Sequence, residues 1–377
     1  MADYRRRGSH NAAVASSLGN PLAFTMGDAC GIGPEIVASW FRSDEAGHAF
    51  VVGDVGVLRR AAATTGGMLP VVSIERARDV AALPPRCIPV LQADGIAAGL
   101  LDAPIGKVDA RAGAAAARSI ERAVALVRAG EAAAIVTAPI HKEAFAAAGL
   151  AYPGHTEMLQ ALAANGGTPP PVRMMLANDE LKTVLVTIHM ALRRALDAIT
   201  FVAVLETIRI ADAALRRLGV ARPRIAVAGL NPHAGEGGLF GDEELRIIAP
   251  AVAAARSEGV DASGPYAPDT VFMRARDTDA HPGEFDVVVA MTHDHGLIPV
   301  KYLGVERGVN VTLGLPFVRT SPDHGTAFDI AGTGSADPSS FAAAVRLARS
   351  LAGSAVSGAS ASRALPAASS PAASRAP

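Results

Sequence analysis

The 377-residue chain predicts an α/β fold, on three observations. Short apolar runs alternate with stretches of helical period, the pattern of strands joined through helices. Three of those runs end at or just before a histidine. Val184-Leu185-Val186-Thr187-Ile188 precedes His189, Ile225 to Leu230 leads through Asn231-Pro232 to His233, and Val287 to Thr292 delivers His293. The first run is followed by a glycine-rich turn and a helix start. In open α/β sheets the carboxyl ends of parallel strands face one crevice, where ligands bind. Imidazoles from three strand ends then suit a divalent ion of the zinc class, with positions left for substrate.

Each element has a local cause. Leu22-Ala23-Phe24-Thr25 reads as a strand, and Pro34-Glu35-Ile36-Val37 opens a helix with proline where its missing N–H costs nothing. Phe50-Val51-Val52 is a strand ending at Gly53-Asp54. Residues 109–128 form an amphipathic helix with Ile120, Val124 and Val127 on one face. Ala133 to Thr137 is a strand that runs into Pro139-Ile140-His141-Lys142. A long helix contains Glu206 to Ile210 and ends near Gly219, and a last helix covers Ser340 to Leu351. Residues 1–20 and 354–377, rich in Ala, Ser, Pro and Gly at the far end, read as disordered tails. Arg5-Arg6-Arg7 has no apolar stretch after it and is not a secretion signal. No linker divides the middle of the chain. The expected division is a first unit of residues 21–150 plus 276–353, with residues 151–275 inserted as a second.

Composition narrows the function. With 35 basic and 36 acidic residues the formal charge is −1, and no Lys/Arg stripe points to nucleic acid. No apolar stretch is long enough for a membrane helix. Two cysteines, Cys30 and Cys87, make no disulfide framework and fit a cytoplasmic protein. There is no Walker loop, Rossmann fingerprint, G-x-S-x-G elbow or H-E-x-x-H.

Several segments carry chemistry. Gly27 to Glu35 joins a strand to a helix, and Gly31 and Gly33 serve either a tight turn or close approach of backbone N–H groups to an anion. His155 and Thr156 are adjacent donors in Pro153-Gly154-His155-Thr156-Glu157; a helix cap is the plainer explanation of Thr156. Lys301, Asn310 and Arg319 sit in mostly apolar or glycine-rich sequence. Two cations and an amide make a clamp for phosphate or carboxylate, unless internal ion pairs use them. His324-Gly325-Thr326-Ala327-Phe328-Asp329 begins a loop of small residues able to hold a flat ring.

These pieces together resemble the 4-hydroxythreonine-4-phosphate dehydrogenase family of pyridoxal phosphate biosynthesis. The resemblance rests on Thr25-Met26-Gly27-Asp28 with Gly31 to Glu35, Gly154 to Glu157, Leu230 to Gly237, His293-Asp294, Lys301-Tyr302, Asn310, Gly314-Leu315-Pro316, Arg319-Thr320-Ser321 and Asp323 to Ala327. It covers about residues 21–350. It implies a two-domain fold like that of isocitrate and isopropylmalate dehydrogenases, with a cleft between domains and a non-Rossmann site for NAD or NADP. It makes His189, His233 and His293 ligands of one divalent metal (Zn, Mg or Co), and His155, Thr156, Lys301, Asn310 and Arg319 substrate-binding residues. Gly31, Gly33, His324, Gly325, Thr326, Ala327 and Asp329 become cofactor-binding positions. The implied reaction is metal-dependent oxidation, with decarboxylation, of 4-phosphooxy-L-threonine, in a homodimer whose subunits share each site. Erythronate or threonate 4-phosphate, or a dihydrodiol carboxylate, are alternative substrates. Asp294, His295 and Lys301 are candidates for proton transfer. The chain departs from the family in Ala29-Cys30, where Pro-Ala is usual, and in His295, where Gln is usual. The rival of another class is a zinc hydrolase, since three imidazoles around an open metal also activate water; a non-catalytic binding protein is a third.

Overall fold

Twelve strands form one mixed sheet in the computed structural model, which describes residues 19–361. The strands are β1 (Leu22–Thr25), β2 (Ala49–Gly53), β3 (Val71–Ile74), β4 (Ile88–Gln92), β5 (Ile135–Thr137) and β6 (Arg173–Ala177). They continue with β7 (Lys182–Leu185), β8 (Ile225–Ala228), β9 (Ala262–Tyr266), β10 (Val287–Ala290), β11 (Val309–Leu313) and β12 (Arg319–Pro322). The helices are α1 (Gly33–Arg42), α2 (Val55–Thr64), α3 (Ala110–Arg128), α4 (Lys142–Ala147), α5 (His155–Ala164) and α6 (Leu192–Ala198). After them come α7 (Phe201–Arg217), α8 (Ala249–Ser257), α9 (Val271–Ala275), α10 (His293–Tyr302) and α11 (Ser339–Ala361). Strand order is β3-β4-β2-β1-β5-β12-β11-β6-β7-β10-β8-β9.

The expected strands and long helices are present, but the sheet divides the chain differently from the expected 151–275 insert. β10 pairs with β7 and β8, and β11 pairs with β6. The chain returns beside the opening strands only at β12, which lies parallel to β5. Residues 276–313 therefore go with the middle segment, because pairing partners, not chain position, decide where a strand sits. The last helix also runs past Leu351 to Ala361: this stretch is alanine-rich and free of proline, and both favour continuation. Of the expected tails at 1–20 and 354–377, residues 1–18 and 362–377 lie outside the described residues.

One face of the sheet carries a single apolar cluster along its length, from Phe24, Ile36 and Trp40 to Val204, Val289 and Phe341. Phe24 meets Trp40 of α1 and Phe341 of α11 edge-on, at 5.0 and 5.1 Å between ring centres. Such contacts add about 1 kcal/mol each beyond area burial and tie the C-terminal helix to the first strand. The other face is split. Phe50, Ile120, Ile135, Phe145 and Met158 pack under α3, α4 and α5, while Leu176, Val288, Leu297 and Val300 pack under α9 and α10. A polar seam lies between these two cores, and the candidate site is built there.

Gly113 sets how closely α4 approaches α3, since a Cβ at this position would run into the Ala144 carbonyl. Gly113→Ala should lower the free energy of urea unfolding by about 1–3 kcal/mol, the usual cost of overpacking, although alanine favours a helix interior over glycine by about 1 kcal/mol. A stability gain would show that α4 moves away freely.

Candidate active site

Arg319 anchors the seam. It begins β12 opposite Ile135 of β5, and its side chain lies 3% exposed between neighbouring strands. Its Nη2 and Nε donate to Thr137 Oγ1 at 2.6 and 3.1 Å, and Nη1 donates to Thr312 Oγ1 at 3.0 Å. Its hydrogen-bond partners are hydroxyls, which bring no compensating charge. Burial pushes its pKa down to about 10, so it stays cationic near neutral pH. Asn310, two residues before Thr312 on β11, shares that face and lies opposite Ser321.

His155 is the first residue of α5, after Gly154, and no side chain caps the helix. Its Nε2 is buried without a partner. Burial, and then the charge of Arg319, hold its pKa well below the ordinary imidazole value. The ring is neutral at physiological pH, with one N–H to donate. Thr156 sits in the same first turn. Arg319, His155 and the free N–H groups of α5 form an anion-attracting pocket.

His189 and His293 meet as expected. Beyond β7 the chain stays zipped to the segment after β10: Val186 N donates to Ala290 O at 2.9 Å, and Thr187 N and Oγ1 donate to Met291 O at 3.2 and 2.8 Å. This brings the two rings to 5.5 Å between centres. Burial, Lys142 and His293 all lower the pKa of His189, with burial the largest effect, so it is neutral and fit to ligate a metal. His293 Nδ1 lies 2.7 Å from Asp294 Oδ1, which orients the ring and leaves Nε2 free. The pair opens onto a cavity of about 480 Å³ that includes Thr187, Ile188 and His295. His295 Nδ1 is buried without a partner, and burial lowers its pKa.

His233 does not join them. From His233 to Gly237 the backbone is left-handed throughout, with φ between 46° and 79°, which swings the chain off the strand axis. For each non-glycine residue this costs on the order of 1 kcal/mol. Buried Glu244 holds the loop, accepting from Leu230 N and Asn231 N at 2.7 Å each and from Asn231 Nδ2 at 2.9 Å. The His233 ring stands beside Glu236 and Phe240 on a second cavity, of about 670 Å³, with Phe272, Ile298 and Tyr302. Asp294 and His295 border both cavities. Among the described residues of one chain, no three His, Cys, Asp or Glu converge to hold a metal ion. The strand-end histidines thus supply two imidazoles that fit a divalent ion, with the third displaced by its loop.

Lys301 is engaged elsewhere, at the far end of α10 from His293. Its Nζ lies 2.6 Å from Asp323 Oδ2, an ion pair without hydrogen-bond alignment. Gly31 and Gly33 are packing glycines. A Cβ on Gly31 would stand 2.8 Å from Thr326 Cβ, and one on Gly33 2.7 Å from Met26 O. Ile32 N donates to Thr326 O at 3.0 Å, and Glu35 accepts from Gly334 N at 2.8 Å and from Gly332 N. The two expected cofactor segments therefore touch, but the glycine turn spends its tightness on the 324–332 loop. That loop keeps ligand-facing features of its own: Gly325 borders open space, Ala327 has φ 39°, Asp329 is exposed, and His324 Nε2 is buried and unpartnered. Those features fit a dinucleotide. Thr137, Thr312, Lys142, Glu157 and Glu244 were not assigned from sequence; only the polar strand end from Thr137 to Lys142 gave a signal.

Residues 45–348 match the family described as pyridoxal phosphate biosynthetic protein PdxA. The chain belongs to that family. A curated 4-hydroxythreonine-4-phosphate dehydrogenase from Beijerinckia indica is 55% identical over 89% of this chain and 96% of its own length. A D-threonate 4-phosphate dehydrogenase from Salmonella typhimurium is 47% identical over 88% of this chain and 98% of its own. The crystal structure of a 4-hydroxythreonine-4-phosphate dehydrogenase from Klebsiella pneumoniae superposes with TM-score 0.80 at 46% identity, covering 89% of this chain and 98% of that one. The chain is accordingly an oxidoreductase of the 4-hydroxythreonine-4-phosphate dehydrogenase-like kind. Among the described residues no helix is long and apolar enough to cross a membrane.

Glu244 gives this PdxA-family chain a pH signature. Burial raises its pKa, but the hydrogen bonds from Asn231 and Leu230 outweigh burial and leave it below the ordinary value. A depressed carboxylate stabilises the fold above its unfolded pKa, about 4.3, and loses that contribution as pH falls through the folded value. Glu244→Gln should cost about 1–2 kcal/mol at pH 7, because an N–H2 would then face donors. The difference from wild type in thermal melts should close in strong acid. A gap that stays constant with pH would show that Glu244 acts through packing alone.

Proposed function

We propose that this chain oxidises a phosphorylated hydroxy acid, 4-phosphooxy-L-threonine in the first instance, with NAD or NADP as acceptor and loss of carbon dioxide from the keto acid formed. The observation that carries this reading is the buried, carboxylate-free Arg319 beside His155, close to the paired imidazoles of His189 and His293. A charged anchor for an anionic substrate and a half-site for a divalent ion share one seam. When bound, the ion would acidify the substrate hydroxyl, and the nicotinamide would accept hydride from the carbon that bears it. The protein's part is to hold and orient. Arg319, His155, Thr156 and Asn310 grip the anionic end, and His189 and His293 would hold the ion beside the hydroxyl. Asp294 fixes the His293 tautomer. The 47% identical D-threonate 4-phosphate relative favours one second reading, oxidation of D-threonate 4-phosphate.

The third imidazole is supplied, in this reading, by His233 of a second copy. Two features support a shared site. His233 is held on a strained but well-tethered loop away from its own chain's pair. Exposed apolar residues flank all three histidines: Met190 and Leu192 near His189, Leu239 and Leu245 near His233, Ile298 near His293. Such a surface suits self-association.

Subunit mixing tests the shared site. His233→Ala and His293→Ala should each abolish NADH production and lower bound metal. Mixed one to one and allowed to exchange, the two should recover roughly a quarter of wild-type activity, because half the dimers carry one intact site. No recovery after verified exchange would exclude sharing. Arg319→Ala should raise KM for phosphorylated substrates by about 10–100-fold, as expected for losing a charged hydrogen-bond donor. Unphosphorylated analogues should be little affected; an equal loss on both would remove Arg319 from the clamp. A panel of 4-phosphooxy-L-threonine, D-threonate 4-phosphate and erythronate 4-phosphate, read by NADH absorbance, decides the substrate.

A further inference from the structure

The substrate proposed above carries a phosphate and a carboxylate, yet Lys301 is committed to Asp323 at 2.6 Å. Within one chain the clamp is one cation short. Lys142 stands where that cation is needed. It opens α4 five residues after Thr137, the hydroxyl that accepts twice from Arg319. Its side chain reaches across to the start of α5: Lys142 Cε lies 3.8 Å from where a Cβ on Gly154 would stand, and Glu157 Oε2 lies 3.4 Å from the same point. Gly154 is the residue before His155, so the Lys142 side chain borders the uncapped first turn of α5. Among the described residues no carboxylate forms an ion pair with Lys142, and the residue is exposed. Its charge also reaches His189, on which it is the strongest of the neighbouring charges. The lysine side chain thus reaches the start of α5, and its charge is felt at His189.

We propose that Lys142 is a substrate-binding residue, donating from its ammonium to the phosphate that Arg319, His155 and the first turn of α5 hold. Phosphate is favoured over carboxylate for two reasons. Free N–H groups at a helix start, an arginine and a lysine together are a phosphate site. A cation fixed on the carboxylate would also oppose its departure as neutral carbon dioxide. This inference rests on the dehydrogenase reading, but its binding test does not need turnover.

Inorganic phosphate is the probe, titrated calorimetrically into the full chain, with NADH titrated separately. Lys142→Gln should weaken phosphate binding roughly tenfold or more, the loss of one charge-assisted hydrogen bond. It should raise KM for the phosphorylated substrate to match, and leave NADH affinity, bound metal and melting temperature near wild type. Lys142→Arg should keep most of the phosphate affinity. Unchanged phosphate affinity in Lys142→Gln, or an equal penalty on D-threonate lacking the phosphate, would overturn the assignment. The two readings fail separately. If the wild type oxidises no phosphorylated hydroxy acid while phosphate binding still depends on Lys142, the dehydrogenase reading falls and the site stands. If turnover is present and Lys142→Gln binds phosphate normally, the lysine alone is wrong.

Discussion

A guanidinium sealed among three strands with only hydroxyls for partners is the constraint around which the site is organised. Arg319 joins β5, β12 and β11, where the two parts of the sheet meet. An apolar residue there would be cheaper to bury, since a buried cation without a countercharge is costly. What the arrangement retains is a positive field in a water-poor seam, where electrostatic attraction is strongest. His155 is kept neutral by burial, and then by that field, and an arriving anion finds donors already oriented.

The histidines show a different kind of control. Each follows a strand by three to five residues, and the backbone in between decides where the ring goes. After β7 the chain continues its ladder with the segment following β10, so His189 and His293 arrive together. After β8 five left-handed residues redirect the chain, and Glu244 holds that detour by its hydrogen bonds to Leu230 and Asn231. Equivalent sequence positions thus yield two convergent imidazoles and one divergent one. The detour is locally unfavourable backbone that the fold holds in place, a pattern that clusters at functional sites.

The two cofactor segments illustrate a related limit. Glycine is used both where backbone must approach a ligand and where it must approach other backbone. Gly31 and Gly33 belong to the second kind here, because the 324–332 loop and the Met26 carbonyl occupy the space a side chain would need. Lys301 and Lys142 make the same point for charge: both are lysines at helix ends, and among the described residues the first pairs with a carboxylate and the second does not.

The sequence by itself determined the alternation of strands and helices, the strand-end placement of the histidines and the family. Periodicity, turn residues and motif spacing are local, and local chemistry is enough to read them. It marked His155, His189, His293 and Arg319 as candidates, and the structure draws these into two neighbouring groups. Only the tertiary structure decided that residues 276–313 pair with the middle strands, that His233 faces another cavity, that Lys301 pairs with Asp323 and that the Lys142 side chain reaches the residue before α5. Each of those outcomes depends on which distant residue lies within a few ångströms, and such contacts leave no trace in the spacing of residues along the chain.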